Sequence, residues 1–371
     1  MGYLEYYLAR ELIKLGQEVY IFTFNLSKRD LRIIHKEGFK VIYIPYFIIL
    51  NGYHLPSLSG INFIINFIKL EKPEIIHCEP LYSPLSLIFL ACKRVFHFKI
   101  VGSILTQLNL PWSKIKKILF SISKIIIEIY AEKISETIFV KSRELEKIIL
   151  NIYNVPINKL RIIPLGADSE IFKFDPKSRE ILRNKLGMSK NDVVIVYSGK
   201  INPSKDLDVL IIALAPIIIQ NNKVKLLIVG KGNLSYVEYL EKLALNLMIS
   251  NNIIFHPWVH RTKLPGYYSA SDIAVWPGLS SGSIVEAASV GLPIIIAKYP
   301  VEIFAIEYDN GFIFEPGNVN ELREYLQNLI YDEKLRKEMG QRSRLLVEQK
   351  LNWKAITIQY LKAYNLALKK L

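Results

Sequence analysis

Short apolar runs alternate with helical segments along most of the chain. The runs KIVGSIL, VVIVYS, LLIVG and IAVW are each followed by a segment whose apolar residues recur every three or four positions. Runs that are apolar throughout suit strands of a parallel sheet, because helices cover both faces of such a sheet. The pattern restarts after a polar stretch, FKFDPKSRE, which we interpret as a linker. The alternation therefore predicts an α/β chain with two doubly wound domains facing a cleft.

Composition excludes several classes of protein. The chain is 51% hydrophobic, but no apolar run reaches the roughly 20 residues that span a bilayer. Its first residues lack the basic segment and apolar core of a secretory signal. Cys78 and Cys92 form no CxxC motif, and the histidines form no HExxH motif, so we expect neither a disulfide framework nor a metal site. A cytoplasmic location is the expectation.

The net charge of +14 indicates an anionic partner. Positions 80 to 127 contain seven basic residues and no acidic one. Segment 113–134 has lysines on one side of a predicted helix and Ile and Phe on the other, so it suits the anionic inner face of a cell membrane. An ordinary half-buried helix with solvated lysines explains it equally well. No motif supports nucleic-acid binding, and phosphate-containing ligands would account for the charge.

Two lysines follow the strand predicted at VVIVYS. Gly199 lets the backbone turn, and Lys200 and Lys205 flank a loop that leads into a helix. Lysines beside a helix N-terminus, at the carboxyl end of a strand, suit a diphosphate. Two solvated surface lysines are the alternative. Asp206 and Asp208 spell DxD, but they fall in the first turn of the helix, where carboxylates favour the helix dipole.

The stretch WPGLSSGSIVEAASVGLP combines a small-residue loop with one buried-looking acid. Gly282 and Ser283 begin a predicted helix whose N-terminal N–H groups would bind a phosphate. Glu286 lies in its first turn, where it either stabilises the dipole or serves a ligand. Since the rest of this helix is small and apolar, the acid needs a partner, and a pair of ligand hydroxyls is one candidate.

These motifs together resemble the retaining glycosyltransferases of family 4, which have the GT-B fold. The resemblance rests on the order and spacing of IIPLGADSEIF, VIVYSGKINPSKDLDVL, LLIVGKG, VEAASVGLPIII and DNGFIFEPGN. It implies two Rossmann-like domains. Residues 1–170 would form an acceptor-side domain, residues 171–350 a domain that binds the nucleotide sugar, and residues 351–371 a helix that packs back on the first domain.

The resemblance also implies a reaction and its residues. A sugar would pass from a UDP- or GDP-linked donor to a lipid-linked, glycan or small acceptor with retention of configuration, without metal or cofactor. Lys200, Lys205 and Glu286 would be catalytic, the lysines gripping the diphosphate and the acid accepting hydrogen bonds from the ribose. The other positions implied in donor binding are Gly199, Gly230, Pro257, Gly278, Gly282, Ser283 and Ile284.

Three departures from the family pattern qualify this expectation. Gly278 stands eight residues before Glu286, where the family has a second acid that contacts the sugar. A catalytically inactive nucleotide-binding or scaffold protein is therefore the alternative function. The family's first strand is missing before residue 3, so either the true start lies upstream or the domain is incomplete. On the acceptor side Gln107 replaces the family's usual histidine, and His77 follows another strand.

Overall fold

The chain divides into two compact units. The computed structural model describes residues 3–24, 30–50, 53–81, 83–104, 128–129, 135–153, 155–279, 282–299, 306 and 308–369. Unit 1 comprises Met1–Pro164 and Lys354–Leu371, and unit 2 comprises Leu165–Trp353. Gln107 and almost all of segment 113–134 lie outside the described residues. In the described part of the chain, no helix is long and apolar enough to cross a membrane.

Unit 1 contains short strands connected by helices. Its elements are α1 (Tyr3–Lys14), β1 (Tyr20–Phe24), β2 (Arg32–Lys36), β3 (Phe39–Ile44), β4 (Tyr46–Leu50), β5 (Tyr53–Pro56), α2 (Leu58–Glu71), β6 (Ile75–Cys78), α3 (Pro84–Lys93), β7 (Lys99–Ser103), β8 (Ser135–Val140), α4 (Arg143–Ile152) and β9 (Leu160–Ile162).

The sheet of unit 1 is split in two. One part has the order β1-β3-β2, and the other has the order β6-β7-β8-β9 with all its strands parallel. Strand β1 is an outer strand of the first part and β6 is an outer strand of the second. Both line a cavity of about 470 Å³ together with residues of α1. Among the described residues no strand pairs with either of these edges. The described part of unit 1 therefore presents two unpaired strand edges to one cavity.

Two antiparallel pairings in unit 1 differ from the predicted parallel pattern. Strand β2 runs antiparallel to β3, and β4 forms an antiparallel hairpin with β5. The apolar run KVIYIPYFIIL gave no sign of this, because a run that is apolar throughout encodes burial but not strand direction.

Unit 2 is a doubly wound α/β unit. Its elements are α5 (Pro176–Lys185), β10 (Val193–Ser198), α6 (Leu207–Gln220), β11 (Val224–Val229), α7 (Leu234–Asn246), β12 (Ile253–His256), α8 (Leu264–Ser269), β13 (Ile273–Trp276), α9 (Ser283–Val290), β14 (Ile294–Ala297), β15 (Gly311–Phe314), α10 (Val319–Tyr331) and α11 (Glu333–Leu346). The last helix of the chain, α12 (Trp353–Lys369), falls almost wholly in unit 1.

All six strands of the unit 2 sheet are parallel, in the order β12-β11-β10-β13-β14-β15. The order reverses direction between β10 and β13. At such a reversal the connections leave on opposite faces of the sheet, and a crevice opens beyond the carboxyl ends of the two strands. In unit 2 this switch point lies after Ser198 and Trp276, and the crevice expected beyond it is the candidate binding site.

The polar stretch interpreted as a linker is partly helical, which corrects that prediction. Asp175 precedes α5 at its N-cap position, where its side chain accepts from Lys177 N–H. Arg179 and Arg183 of α5 both pair with Asp272, which also accepts from Val194 N–H. These ion pairs attach a charged helix to the unit 2 sheet. Periodicity of apolar residues could not reveal it, because polar contacts hold it in place.

Candidate functional site

The backbone after β10 passes close to the neighbouring strand. Gly199 has φ +151°, in the region that favours glycine. A Cβ on Gly230, just after β11, would lie 1.8 Å from the Gly199 carbonyl oxygen. Tyr197 Oη donates to the Lys200 carbonyl at 2.7 Å and holds the turn. Both glycines therefore serve this close approach, and the side chain of Lys200 is left exposed at the crevice.

Lys205 extends across the switch point towards the loop after β13. It ends a short 3-10 turn, Pro203–Lys205, which is followed by Asp206 with φ 48° at the start of α6. Its half-buried amine donates to the carbonyl of Leu279. Leu279 N–H in turn donates to Ser204 O at 3.0 Å. The loops after β10 and β13 are thus tied together, with the cation of Lys205 between them.

Gly278 lies at the closest point of these two loops. A Cβ there would be 2.5 Å from the Lys205 carbonyl carbon and 2.6 Å from Ser204 O. Both are backbone atoms, which cannot move aside as the end of a side chain can. The structure therefore has no room for an acid at position 278 while the turn at 203–205 keeps its place.

The start of α9 faces the same crevice. Ser283 Oγ donates to the Ser198 carbonyl at 3.3 Å, and Trp276 Nε1 donates to the same oxygen at 3.0 Å. Buried Tyr268 Oη is 2.6 Å from Ser198 Oγ and donates to Ser283 O at 3.3 Å. These bonds fix the first turn of α9, with Gly282 at its cap position, against the end of β10. Ile284 is fully buried, so only its backbone is available to a ligand.

Glu286 has a protein partner that the sequence did not reveal. Its residue is 3% exposed, on a helix whose other members at 284, 285, 287 and 288 are apolar and buried. Arg261, in the short helix Arg261–Lys263 that follows β12, forms an ion pair with its carboxylate. The guanidinium carbon lies 5.5 Å from the centre of the Phe172 ring. The sequence pointed to this ion pair only through a basic residue in the loop after another strand of the same sheet.

The remaining positions of unit 2 are near the crevice or explained by local contacts. Pro257 follows β12 and is exposed; its carbonyl lies 2.8 Å from His256 Nδ1, while His256 Nε2 is 3.0 Å from Tyr267 Oη. Asp208 accepts from Tyr236 Oη at 2.9 Å, and Asp206 accepts from Tyr299 Oη at 3.5 Å. Among the described residues no His, Cys, Asp and Glu cluster could hold a metal ion.

His77 of unit 1 is enclosed by hydrogen bonds. Its Nδ1 is 2.8 Å from Tyr364 Oη and its Nε2 is 2.9 Å from Ser103 Oγ. Burial, and then the nearby Lys141 ammonium, lower the pKa of His77 to about 3. Lys141 is 1% exposed and donates to Tyr360 Oη at 3.0 Å. This is the environment of a neutral histidine held by the protein.

Two family models cover nearly the whole chain. Residues 4–171 match the model for Glycosyltransferase Family 4, and residues 178–346 match the model for Glycosyl transferases group 1. A GDP-mannose-dependent alpha-(1-6)-phosphatidylinositol monomannoside mannosyltransferase of Mycobacterium tuberculosis is 25% identical over 53% of this chain and 54% of its own length. An alpha-monoglucosyldiacylglycerol synthase of Streptococcus pneumoniae is 25% identical over 79% of this chain and 66% of its own length.

A solved structure shares the fold. The crystal structure of Anabaena HepE in complex with UDP superposes with a TM-score of 0.77 at 18% identity, covering 98% of this chain and 96% of that one. The matches span only 54% to 59% of the length of three of the curated relatives. With both family models matched and the strand order described above, the chain has the GT-B fold and belongs to the family 4 glycosyltransferases.

Proposed function

We propose that the chain transfers a sugar from a UDP- or GDP-linked donor to an acceptor hydroxyl, with retention of configuration. The observation that carries this proposal is that the loops after β10 and β13 are tied together at the switch point of unit 2. Three groups belong to these loops and to the helix that follows β13: the amine of Lys205, the first turn of α9 and the carboxylate of Glu286. A diphosphate fits the first two groups, and a ribose fits the third.

Each group has a role in the proposed reaction. As the bond between sugar and diphosphate breaks, negative charge develops on the leaving phosphate. Lys205 and Lys200 would neutralise that charge, and the N–H groups of Ser283 and Ile284 would donate to the phosphate oxygens. Glu286 would accept from the ribose hydroxyls and so fix the position of the donor. The two lysines supply the positive charge that a metal supplies in other transferases.

Binding measurements test the donor site. Titration calorimetry of the full chain with UDP, GDP and ADP should detect at least one nucleoside diphosphate. Lys205→Ala should weaken that binding about 10- to 100-fold, because it removes a charge-assisted hydrogen bond. Lys223→Ala is the matched control, since this exposed lysine precedes the amino end of β11, whereas the proposed site lies beyond the carboxyl ends of the strands. The donor site is refuted if none of the three diphosphates binds.

A nucleotide-binding protein without turnover is the second candidate function. It is favoured by Gly278, where backbone contacts leave no room for the acid that the family uses on the donor sugar. The two candidates differ in the release of nucleoside diphosphate from UDP-glucose or GDP-mannose in the presence of acceptor lipids. Turnover that Lys205→Ala abolishes supports the transferase. Diphosphate binding without turnover of any sugar donor supports the second candidate.

We further propose a lipid-linked acceptor and a place at the cytoplasmic face of a membrane. Two relatives carry names that specify lipid acceptors or products, and the chain has a net charge of +14. Cations near a membrane surface are attracted to anionic lipid and are released by salt. Sedimentation with vesicles containing phosphatidylglycerol should therefore be strong at low salt and weak with neutral vesicles. Equal sedimentation with both kinds of vesicle would contradict this proposal.

A further inference from the structure

Glu286 is buried, so the residue that compensates its charge bears on what the carboxylate can bind. An ionised carboxylate in an apolar helix is costly unless a positive charge and hydrogen bonds compensate it. Arg261 supplies that charge. The Glu286 side chain is 4% exposed, whereas the Arg261 side chain is 32% exposed. The pair therefore reaches from the interior of unit 2 towards its surface, with the arginine on the outer side.

The protein fixes the orientation of Arg261 from two directions. Its guanidinium lies over the Phe172 ring, and one of its nitrogens faces Glu286 Oε1. A planar guanidinium that packs on an aromatic face and pairs at its edge has little rotational freedom. Arg261 in turn holds the carboxylate of Glu286 in one orientation. A carboxylate has about four acceptor sites, and one ion pair does not use all of them, so Glu286 can still accept from a ligand.

The position of Arg261 in the sheet is also informative. It follows β12, at the edge of the sheet, yet it pairs with a helix that follows β13. Strands β11 and β10 lie between these two strands. A side chain from the loop after β12 thus meets the switch point formed by β10 and β13. Any ligand that contacts Glu286 is therefore bound beside Arg261.

We infer that Arg261 is a positioning residue, which orients Glu286 so that its carboxylate accepts from the ribose hydroxyls of a nucleoside diphosphate. This inference rests on the proposed function. Arg261 thereby sets the preference of the site for ribonucleotides over deoxyribonucleotides. If the ion pair were purely structural, its loss would lower the stability of unit 2 and would weaken the binding of ribonucleotides and deoxyribonucleotides equally.

The test compares dissociation constants for the better bound of UDP and GDP and for its 2′-deoxy form. The wild-type chain should prefer the ribonucleotide by about 10-fold, the range of a hydrogen bond to a charged group. Arg261→Met should reduce that ratio to about two-fold or less, and Glu286→Gln should reduce it similarly. The double variant should match Glu286→Gln alone, because the two residues act as one unit. Lys263→Met removes an exposed cation from the same short helix and should leave the ratio unchanged.

The outcomes separate this inference from the proposed function. Binding of a nucleoside diphosphate with an unchanged ratio in Arg261→Met overturns the inference alone. No binding by the wild-type chain overturns both. If Arg261→Met does not fold, Arg261→Lys gives the same test, because lysine keeps the charge but lacks the planar fork that fixes the carboxylate. A reduced ratio in folded Arg261→Lys supports the inference, and a wild-type ratio contradicts it.

Discussion

Gly278 takes its identity from the backbone opposite it. The hydrogen bond from Leu279 N–H to Ser204 O brings two loops into contact, and only a residue without Cβ fits at that contact. The absence of an acid at position 278 and the position of Lys205 are therefore parts of one arrangement. An acid introduced at 278 alone would displace the turn that carries Lys205.

Gly278→Ala tests this arrangement at the scale of one residue. We expect a loss of about 1–3 kcal/mol in the free energy of unfolding, typical of overpacking, and weaker binding of nucleoside diphosphates as Lys205 shifts. Urea denaturation and calorimetry measure the two effects. Gly266→Ala in α8 is the control, because its added methyl would meet the end of the flexible Leu182 side chain at 3.0 Å. Wild-type stability and binding in Gly278→Ala would contradict the steric argument.

At the scale of elements, the split sheet of unit 1 leaves two strand edges facing one cavity. Lys40 N–H donates to Val19 O at 3.2 Å, and Lys99 N–H donates to Glu74 O at 2.8 Å. In a parallel ladder every second residue bonds to a given neighbour. These two bonds therefore fix which N–H groups of β1 and β6 point away from their partner strands and towards the cavity.

Hydrogen exchange should distinguish the two sets of amides. We expect fast exchange at Tyr20, Phe22, Ile75 and His77, whose N–H groups face the cavity by this alternation. Slow exchange is expected at positions paired inside the sheet, such as Ile138 in β8. If a strand occupied the cavity, it would pair with β1 and β6 at once. Hydrogen exchange at the four cavity-facing amides would then be slow. Equal protection of the cavity-facing amides and the paired amides would contradict the split of the unit 1 sheet.

At the scale of the whole molecule, local patterns were predictable and distant partnerships were not. Gly199, Lys205 and Glu286 stand at strand-to-helix junctions, which a short stretch of sequence specifies. The pairing of Arg261 with Glu286 depends on the strand order, which places the loop after β12 near α9. The antiparallel hairpin β4–β5 and the helix α5 were missed for similar reasons. Strand direction and polar attachment leave no periodic trace in the chain.

The last helix connects the end of the chain with the interior of unit 1. Tyr364 of α12 bonds to His77, and Tyr360 of the same helix bonds to Lys141. The positions proposed for the nucleotide all lie in unit 2. Because each unit has its own core, we expect two unfolding transitions on heating. A nucleoside diphosphate should raise the midpoint temperature of the unit 2 transition alone, since a ligand stabilises the folded unit that binds it.

Acid should act on the transition of unit 1 through His77. Its pKa is about 3 in the folded chain and 6.5 for the unperturbed residue, so the unfolded state binds more protons between these values. The stabilisation is complete above pH 6.5 and is lost, by at most about 1.4 kcal/mol per pH unit, as the pH falls towards 3. Burial raises the pKa of neighbouring Glu79, so its protonation acts in the opposite direction.

His77→Asn separates the two groups, because it removes the histidine titration and leaves Glu79 in place. Calorimetric scans at pH 7.5, 6.5 and 5.5 should show the unit 1 transition of the wild-type chain moving down relative to that of His77→Asn. The reason is that the wild-type chain must keep His77 neutral at a pH where the unfolded chain protonates it. The difference in midpoint temperature of the unit 2 transition between the two proteins should be the same at all three pH values. Parallel shifts of the unit 1 transition in both proteins would show that His77 is not held neutral in the folded chain.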